Sequence, residues 1–163
     1  MTQLAIYPGS FDPITLGHLS VLRRAVSVFE AIEVLVVHNP SKAPVFTLEE
    51  RVSLIEESIT EMGIPGRISV SSLAQGLLAS HALERGARAI VKGFRTSTDI
   101  EYELPMAQVN RDLSGIETVF FASEPGFGFV SSSLVRQVGE LGGELSKYVT
   151  SSVANALSAR GSK

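Results

Sequence analysis

The stretch Leu4-Ala-Ile-Tyr-Pro-Gly-Ser-Phe-Asp-Pro-Ile-Thr-Leu-Gly-His18 sets a short apolar strand ahead of a loop rich in glycine, proline and polar side chains. Leu4–Tyr7 reads as strand. Leu16–Phe29 reads as helix, with Leu19, Leu22, Val26 and Phe29 at spacings of three and four. A plain turn would be enough to join them. The special chemistry from Gly9 to His18 implies that this loop holds a ligand.

Working outward, the same strand-then-helix pattern returns. Ile32–Val37 is an unbroken apolar-rich run with β-branched residues, typical of a strand covered on both faces. Asn39-Pro40 and Pro44 mark a loop. Thr47-Leu-Glu-Glu50 is a capping box, opening a helix with Leu48, Val52, Ile55, Ile59 and Met62 on one face. Ile68–Val70 reads as strand, Gln75–Arg85 as helix and Arg88–Val91 as the fourth strand. Thr98-Asp-Ile-Glu101 reads as a second capping box, opening a helix to about Leu113. Glu117–Ala122 is the fifth strand, Ser131–Leu141 a helix and Ser146–Arg160 the last helix. Strands alternating with helices predict an α/β fold: a Rossmann-like, doubly wound, five-stranded parallel sheet with helices on both faces. The 163 residues form a single domain over 1–163, with no repeat or linker.

Apolar residues are 44% and charged residues 19%, the composition of an ordered globular chain. No apolar run is long enough to span a membrane, and the first residues do not form a secretory signal. The absence of cysteine excludes disulfides and thiolate chemistry and fits a cytoplasmic location. A net charge of −3 argues against nucleic acid as a partner, so an anionic ligand has to be held by a local cluster of cations.

In a parallel sheet, ligands sit beyond the carboxyl ends of the strands. The unusual residues fall there: Gly9-Ser10 to His18, His38 to Lys42, Lys92-Gly-Phe-Arg95, and Gly126 to Ser133. Together they make a site for phosphates. Two readings fit His18: a phosphate donor in the first turn of a helix capped by Thr15, or a plain polar residue there. Lys42 reads as a phosphate contact or as a solvated loop lysine, and Lys92 with Arg95 as an anion fork or a solvated turn. Ser131-Ser132-Ser133 reads as a phosphate cradle at a helix start or as a surface turn with one cap. Glu103 reads as first-turn support for its helix or as an acceptor from a ribose or base, and Asp12 as a partner for a cation or a metal. His38 reads as structural and His81 as exposed in mid-helix; such scattered histidines make no zinc site. The P-loop, the dinucleotide G-x-G-x-x-G and the G-x-S-x-G elbow are all missing, and without a good nucleophile direct transfer is the simpler chemistry.

Thr15-Leu-Gly-His18 and Ser131-Ser-Ser-Leu-Val-Arg136 resemble the two signatures of the nucleotidyltransferase superfamily. More closely, Tyr7–His18, Asn39–Lys42, Phe46–Arg51, Lys92–Arg95, Glu101–Glu103 and Phe129–Ser133 resemble the bacterial phosphopantetheine adenylyltransferase family, from Leu4 to at least Val149. The resemblance implies transfer of AMP from ATP to 4′-phosphopantetheine, giving dephospho-coenzyme A and pyrophosphate. It also implies Mg²⁺ carried by the ATP phosphates, coenzyme A or dephospho-coenzyme A as product or feedback ligand, and a homohexamer. For that reaction, the chemistry of the residues would give catalysis to His18 and Lys42, on the transferring phosphoryl group, and to Arg95, which with the Ser131–Ser133 helix start would hold the β- and γ-phosphates; the contacts that follow rest on motif match. Ser10, Phe11, His18, Gly93, Phe94, Arg95, Glu103 and the Phe127, Gly128, Phe129, Val130, Ser131, Ser132, Ser133 run would contact ATP. Ser10, Lys42, Leu78 and Lys92 would contact the acceptor, Leu78 by spacing alone. A related transferase with another acceptor, or a non-catalytic nucleotide sensor, stands as the alternative; Lys42 and Lys92 would be surplus in a sensor.

Overall fold

The computed structural model describes residues 3–41 and 43–161, so Lys42 lies outside the described residues. Five strands, β1 (Leu4–Gly9), β2 (Ala31–Val37), β3 (Arg67–Leu73), β4 (Ala89–Phe94) and β5 (Glu117–Ala122), form a parallel sheet in the order β3-β2-β1-β4-β5. The helices among the described residues are α1 (Leu16–Ala25), α2 (Leu48–Glu61), α3 (Leu78–Glu84), α4 (Ser97–Ser114), α5 (Ser132–Glu140) and α6 (Ser151–Gly161). This is the doubly wound Rossmann-like architecture that the alternating pattern predicts.

Side chains alternate across the sheet, as the strand period of two requires. Ala5, Tyr7, Ile32, Val34, Val36 and Val91 join Leu19, Leu22 and Ala25 of α1 and Leu54 and Ile55 of α2 in the larger core, which Val135 of α5 and Val153 of α6 complete. Ile6, Leu35 and Ile90 face the other way, against Ala82 of α3, in a smaller core. Glu33 of β2 also faces that side and is 2% exposed. Its carboxylate accepts from Ser71 Oγ at 2.6 Å and Arg85 Nε at 2.8 Å, and sits 3.1 Å from His81 Nε2. Burial opposes ionisation of Glu33, but the bonds from Ser71, Arg85 and His81 outweigh it and hold the carboxyl below its ordinary range. His81 is therefore not the exposed mid-helix residue expected from the sequence; its partner lies 48 residues away, where local spacing gives no sign of it.

The order of the strands opens the site. β1 pairs with β2 along its whole length, from Leu4↔Ala31 to Gly9↔Val36. With β4 it pairs only at Ala5↔Ala89 and Ile6↔Ile90. Beyond Ile6 and Ile90 the two strands part, and this is where the winding direction reverses.

Several element ends differ from the expected ones. β4 runs through Lys92 and Gly93 to Phe94, paired with β5 as far as Phe94↔Ala122, so these residues end a strand rather than follow one. The helix expected from Gln75 starts at Leu78, because Gly76 sits at φ 109°. The second capping box is Thr96 with Asp99, not Thr98 with Glu101, so Glu101 to Glu103 lie beyond the first turn of α4. α1 ends at Ala25 rather than Phe29, and α6 begins at Ser151 rather than Ser146.

Candidate active site

A cavity of about 550 Å³ opens at the carboxyl ends of β1 and β4. Its wall draws on residues 7–18, on His38, Asn39, Ala43 and Pro44, on residues 92–103 and 123–136, and on Val21 and Arg51. Of the predicted residues, Ser10, Phe11, His18, Lys92, Gly93, Arg95, Glu103, Phe127, Val130, Ser131, Ser132 and Ser133 come together on its wall. Phe94, Gly128 and Phe129 do not line it; the ring of Phe129 packs edge-on against Tyr148, at 6.1 Å. Leu78 does not line it either; its side chain packs on the smaller core beneath α3.

The first loop is fixed by its own backbone. Phe11 has φ 44°, an unusual value for a residue with a side chain, and its buried ring folds back over Gly9. A Cβ on Gly9 would lie 2.9 Å from Phe11 Cζ, so the bare backbone is what leaves room for the ring. The ring stands edge-on to both Tyr7 and His18, at 5.3 and 5.1 Å.

His18 is built into the start of α1. Thr15 Oγ1 accepts the His18 N–H, and His18 Nδ1 accepts the Thr15 N–H at 3.1 Å. The imidazole thus takes the place that Glu or Gln holds in an ordinary capping box. Because Nδ1 is an acceptor, the neutral ring carries its proton on Nε2. Burial, with the charge of Arg95 adding to it, lowers the pKa of His18 to about 4. At neutral pH His18 is thus an uncharged donor held at a helix N-terminus, which suits a developing phosphoryl charge.

Acidic residues fix the loops and the cations. Asp12 accepts the Val45 N–H and the Phe46 N–H, each at 2.9 Å, and so ties the loop after β1 to the loop after β2. Arg136 of α5 donates to the Asp12 carbonyl at 2.5 Å and lies 3.6 Å from its carboxylate. Arg51, 3% exposed, donates to the Ser10 carbonyl at 2.8 Å and to the Thr47 carbonyl at 3.3 Å. Arg95 is held by Asp99, which accepts its N–H at 2.8 Å and its Nε at 3.2 Å, while Nη1 donates to the Val130 carbonyl at 3.2 Å. Burial works against the charge of Asp99, but the Arg95 N–H and guanidinium outweigh it and keep the carboxyl below its ordinary range. Lys92 Nζ lies 3.2 Å from Glu103 Oε2. Ser131 caps α5 by accepting the Leu134 N–H, and Ser132 Oγ donates to the Pro13 carbonyl. Two helix N-termini, those of α1 and α5, therefore meet at one cavity.

Arg51, Asp99 and Arg136 have no assigned role in the sequence reading. Arg51 left a signal there: it lies three residues after Leu48 and four before Ile55, on the stripe of α2 that faces the core. Asp99 was masked by an overlapping capping pattern two residues further on.

A family model described as Cytidylyltransferase-like matches residues 6–138, which sets the class as nucleotidyltransferase. A phosphopantetheine adenylyltransferase of Clavibacter michiganensis subsp. michiganensis is 51% identical, over 98% of each chain, and one of Leifsonia xyli subsp. xyli is 49% identical, over 97% of this chain and 99% of that one. One of Thermotoga neapolitana is 45% identical, over 95% and 94%. The chain belongs to the phosphopantetheine adenylyltransferase family. A structure described as a putative nicotinate-nucleotide adenylyltransferase from Vibrio parahaemolyticus shares the fold, with a TM-score of 0.73 and 20% identity over 99% of this chain and 94% of that one.

Proposed function

We propose that this chain transfers AMP from ATP to 4′-phosphopantetheine, releasing pyrophosphate, in the synthesis of coenzyme A. The observation that carries the reading is the neutral His18 donor at the start of α1, facing Lys92, Arg95 and the Ser131–Ser133 helix start across one cavity. The nucleophile is a phosphate oxygen, already ionised near neutral pH, so no general base is required. The protein has to align two anions and stabilise charge that grows on the α-phosphate and on the leaving group. His18 donates to the transferring group from Nε2. Lys42, brought by the resemblance alone, shares that role. Arg95 and the N-terminus of α5 hold the leaving phosphates, and Lys92 and Ser10 receive the acceptor phosphate.

Gly93 supports a nucleotide on the β4 side. A Cβ there would lie 2.9 Å from Val21 Cγ2, so the bare strand end is what lets α1 pack close against β4 at the cavity wall. Mg²⁺ carried by the ATP phosphates would supply neutralisation of phosphate charge, with no side chain of this protein required to hold it. Asp12 fits that assignment, since its two oxygens already accept the Val45 and Phe46 N–H groups. Assembly into a homohexamer in the cytoplasm completes the reading. The exposed Tyr102, Met106, Val109 and Leu113 of α4 supply apolar surface for contact between copies, and no helix among the described residues is long and apolar enough to cross a membrane.

The test is pyrophosphate release from ATP and Mg²⁺ with 4′-phosphopantetheine, with nicotinamide mononucleotide, and with no acceptor. Release with phosphopantetheine alone is expected. Release with nicotinamide mononucleotide in its place would assign another acceptor, and release with neither while ATP binds would make the chain a nucleotide sensor.

A further inference from the structure

Three cations of the cavity are already paired with carboxylates of the same chain: Arg136 with Asp12, Arg95 with Asp99, and Lys92 with Glu103. The pairs are not equivalent. Asp12 also accepts two backbone N–H groups, from Val45 and Phe46. Asp99 also accepts those of Arg95 and Thr96 and closes the cap of α4. Neither carboxylate can leave its cation without uncapping a backbone donor. Glu103 differs. Among the described residues its carboxylate has Lys92 as its one ionic or hydrogen-bonded partner, and both side chains are 24% exposed. Each lines the cavity.

We infer that Glu103 is a competing anion that guards Lys92, so that an incoming phosphate must displace this carboxylate before Lys92 can bind it. The inference rests on the reading of Lys92 as the contact for the acceptor phosphate. A phosphate monoester carries up to two charges and three acceptor oxygens, and it can outcompete one carboxylate for an ammonium. A neutral or weakly charged group cannot. Glu103 thereby lowers the affinity of every anion for Lys92 by one common factor, so that a weak anion leaves the site empty while a tightly held phosphate still fills it. The affinity observed is the intrinsic affinity reduced by the fraction of time Lys92 stands unpaired. It follows that removing the carboxylate tightens binding, which the loss of a merely structural contact would not do.

The experiment is calorimetric titration of the full chain, without nucleotide, with 4′-phosphopantetheine and separately with inorganic phosphate. Wild type, Glu103→Gln, Lys92→Gln and the double variant are compared, with a parallel titration of ATP. Glu103→Gln is expected to tighten both phosphate ligands by about five- to tenfold. Lys92→Gln weakens both, and in its background Glu103→Gln has no further effect. Unchanged or weaker phosphate binding in Glu103→Gln overturns the inference, as does a gain that survives the loss of Lys92. A loss confined to ATP overturns it too and gives Glu103 to the nucleotide. If inorganic phosphate tightens in Glu103→Gln while phosphopantetheine neither binds nor turns over in wild type, the guard stands and the acceptor reading fails.

Discussion

Toward α1 and α2, strand β2 presents Ile32, Val34 and Val36; toward α3 it presents Glu33 and Leu35. The first face is closed by apolar packing that continues into α5 and α6. The second has a smaller core and fastens the short helix α3 with a buried carboxylate shared by Ser71, His81 and Arg85. Capping boxes start α1, α2 and α4, whereas α3 has no side-chain cap at Leu77 and is tied to β2 by the charge network through His81 and Arg85. The difference assigns separate duties. The apolar face positions the loop from Gly9 to His18 and the start of α5, which line the cavity, whereas the polar cluster secures a helix whose first residue, Leu78, stands apart from the cavity wall.

Substitutions can break that division, and the largest effect is expected where the apolar face meets the ligand. His18→Ala removes the Nε2 donor, and turnover should fall about 10²- to 10³-fold, equivalent to about 3–4 kcal/mol, measured as pyrophosphate release. Near-normal turnover would remove His18 from the chemistry. Next is Leu22→Ala, which opens a cavity in the larger core beside a fully buried α1 position. It should lower the free energy of unfolding in urea by about 3 kcal/mol.

Glu33→Gln tests the other face. It strips the charge from the α3 cluster and should destabilise by about 1–3 kcal/mol, with the pyrophosphate release rate kept. A large drop in rate with normal stability would show that the two faces are not separate in function. The smallest effect is a pH dependence. The pKa of His18 is about 4 folded against 6.5 as the ordinary value, so between these values the unfolded chain binds the extra proton. Stability should decline as pH falls from 6.5 toward 4, by about 1–2 kcal/mol between pH 7 and 5. The comparison is urea unfolding of wild type and His18→Asn at the two pH values; equal slopes for the two proteins would contradict the lowered pKa.

What could be read from the sequence follows the range of the forces involved. The strands and helices rest on local periodicity and capping, so the alternation, the parallel sheet and the Thr15 and Thr47 caps were all legible. That Lys92, Arg95 and Ser131–Ser133 meet at one cavity was legible because a strand end or a helix start confines them. Arg51 on Ser10, Arg136 on Asp12 and His81 on Glu33 were not, because each partner lies 41 to 124 residues away. The end of β4 was misplaced because Lys92 and Gly93 break the apolar run, although the ladder with β5 carries on through both. A strand that ends in a binding site gives up apolar character before it gives up its hydrogen bonds.

The seam between β1 and β4 also bears on motion. The half built from β1, β2 and β3 and the half built from β4 and β5 share only the Ala5↔Ala89 and Ile6↔Ile90 pairs of the ladder, while each half is closely paired within itself. The seam thus has fewer ladder pairs than any other strand junction of the sheet, and a ligand that reached both Ser10 and Lys92 would span it. Amide hydrogens along the seam should exchange fastest in the empty protein and slow when the cavity fills, while those between β2 and β3 keep their rate.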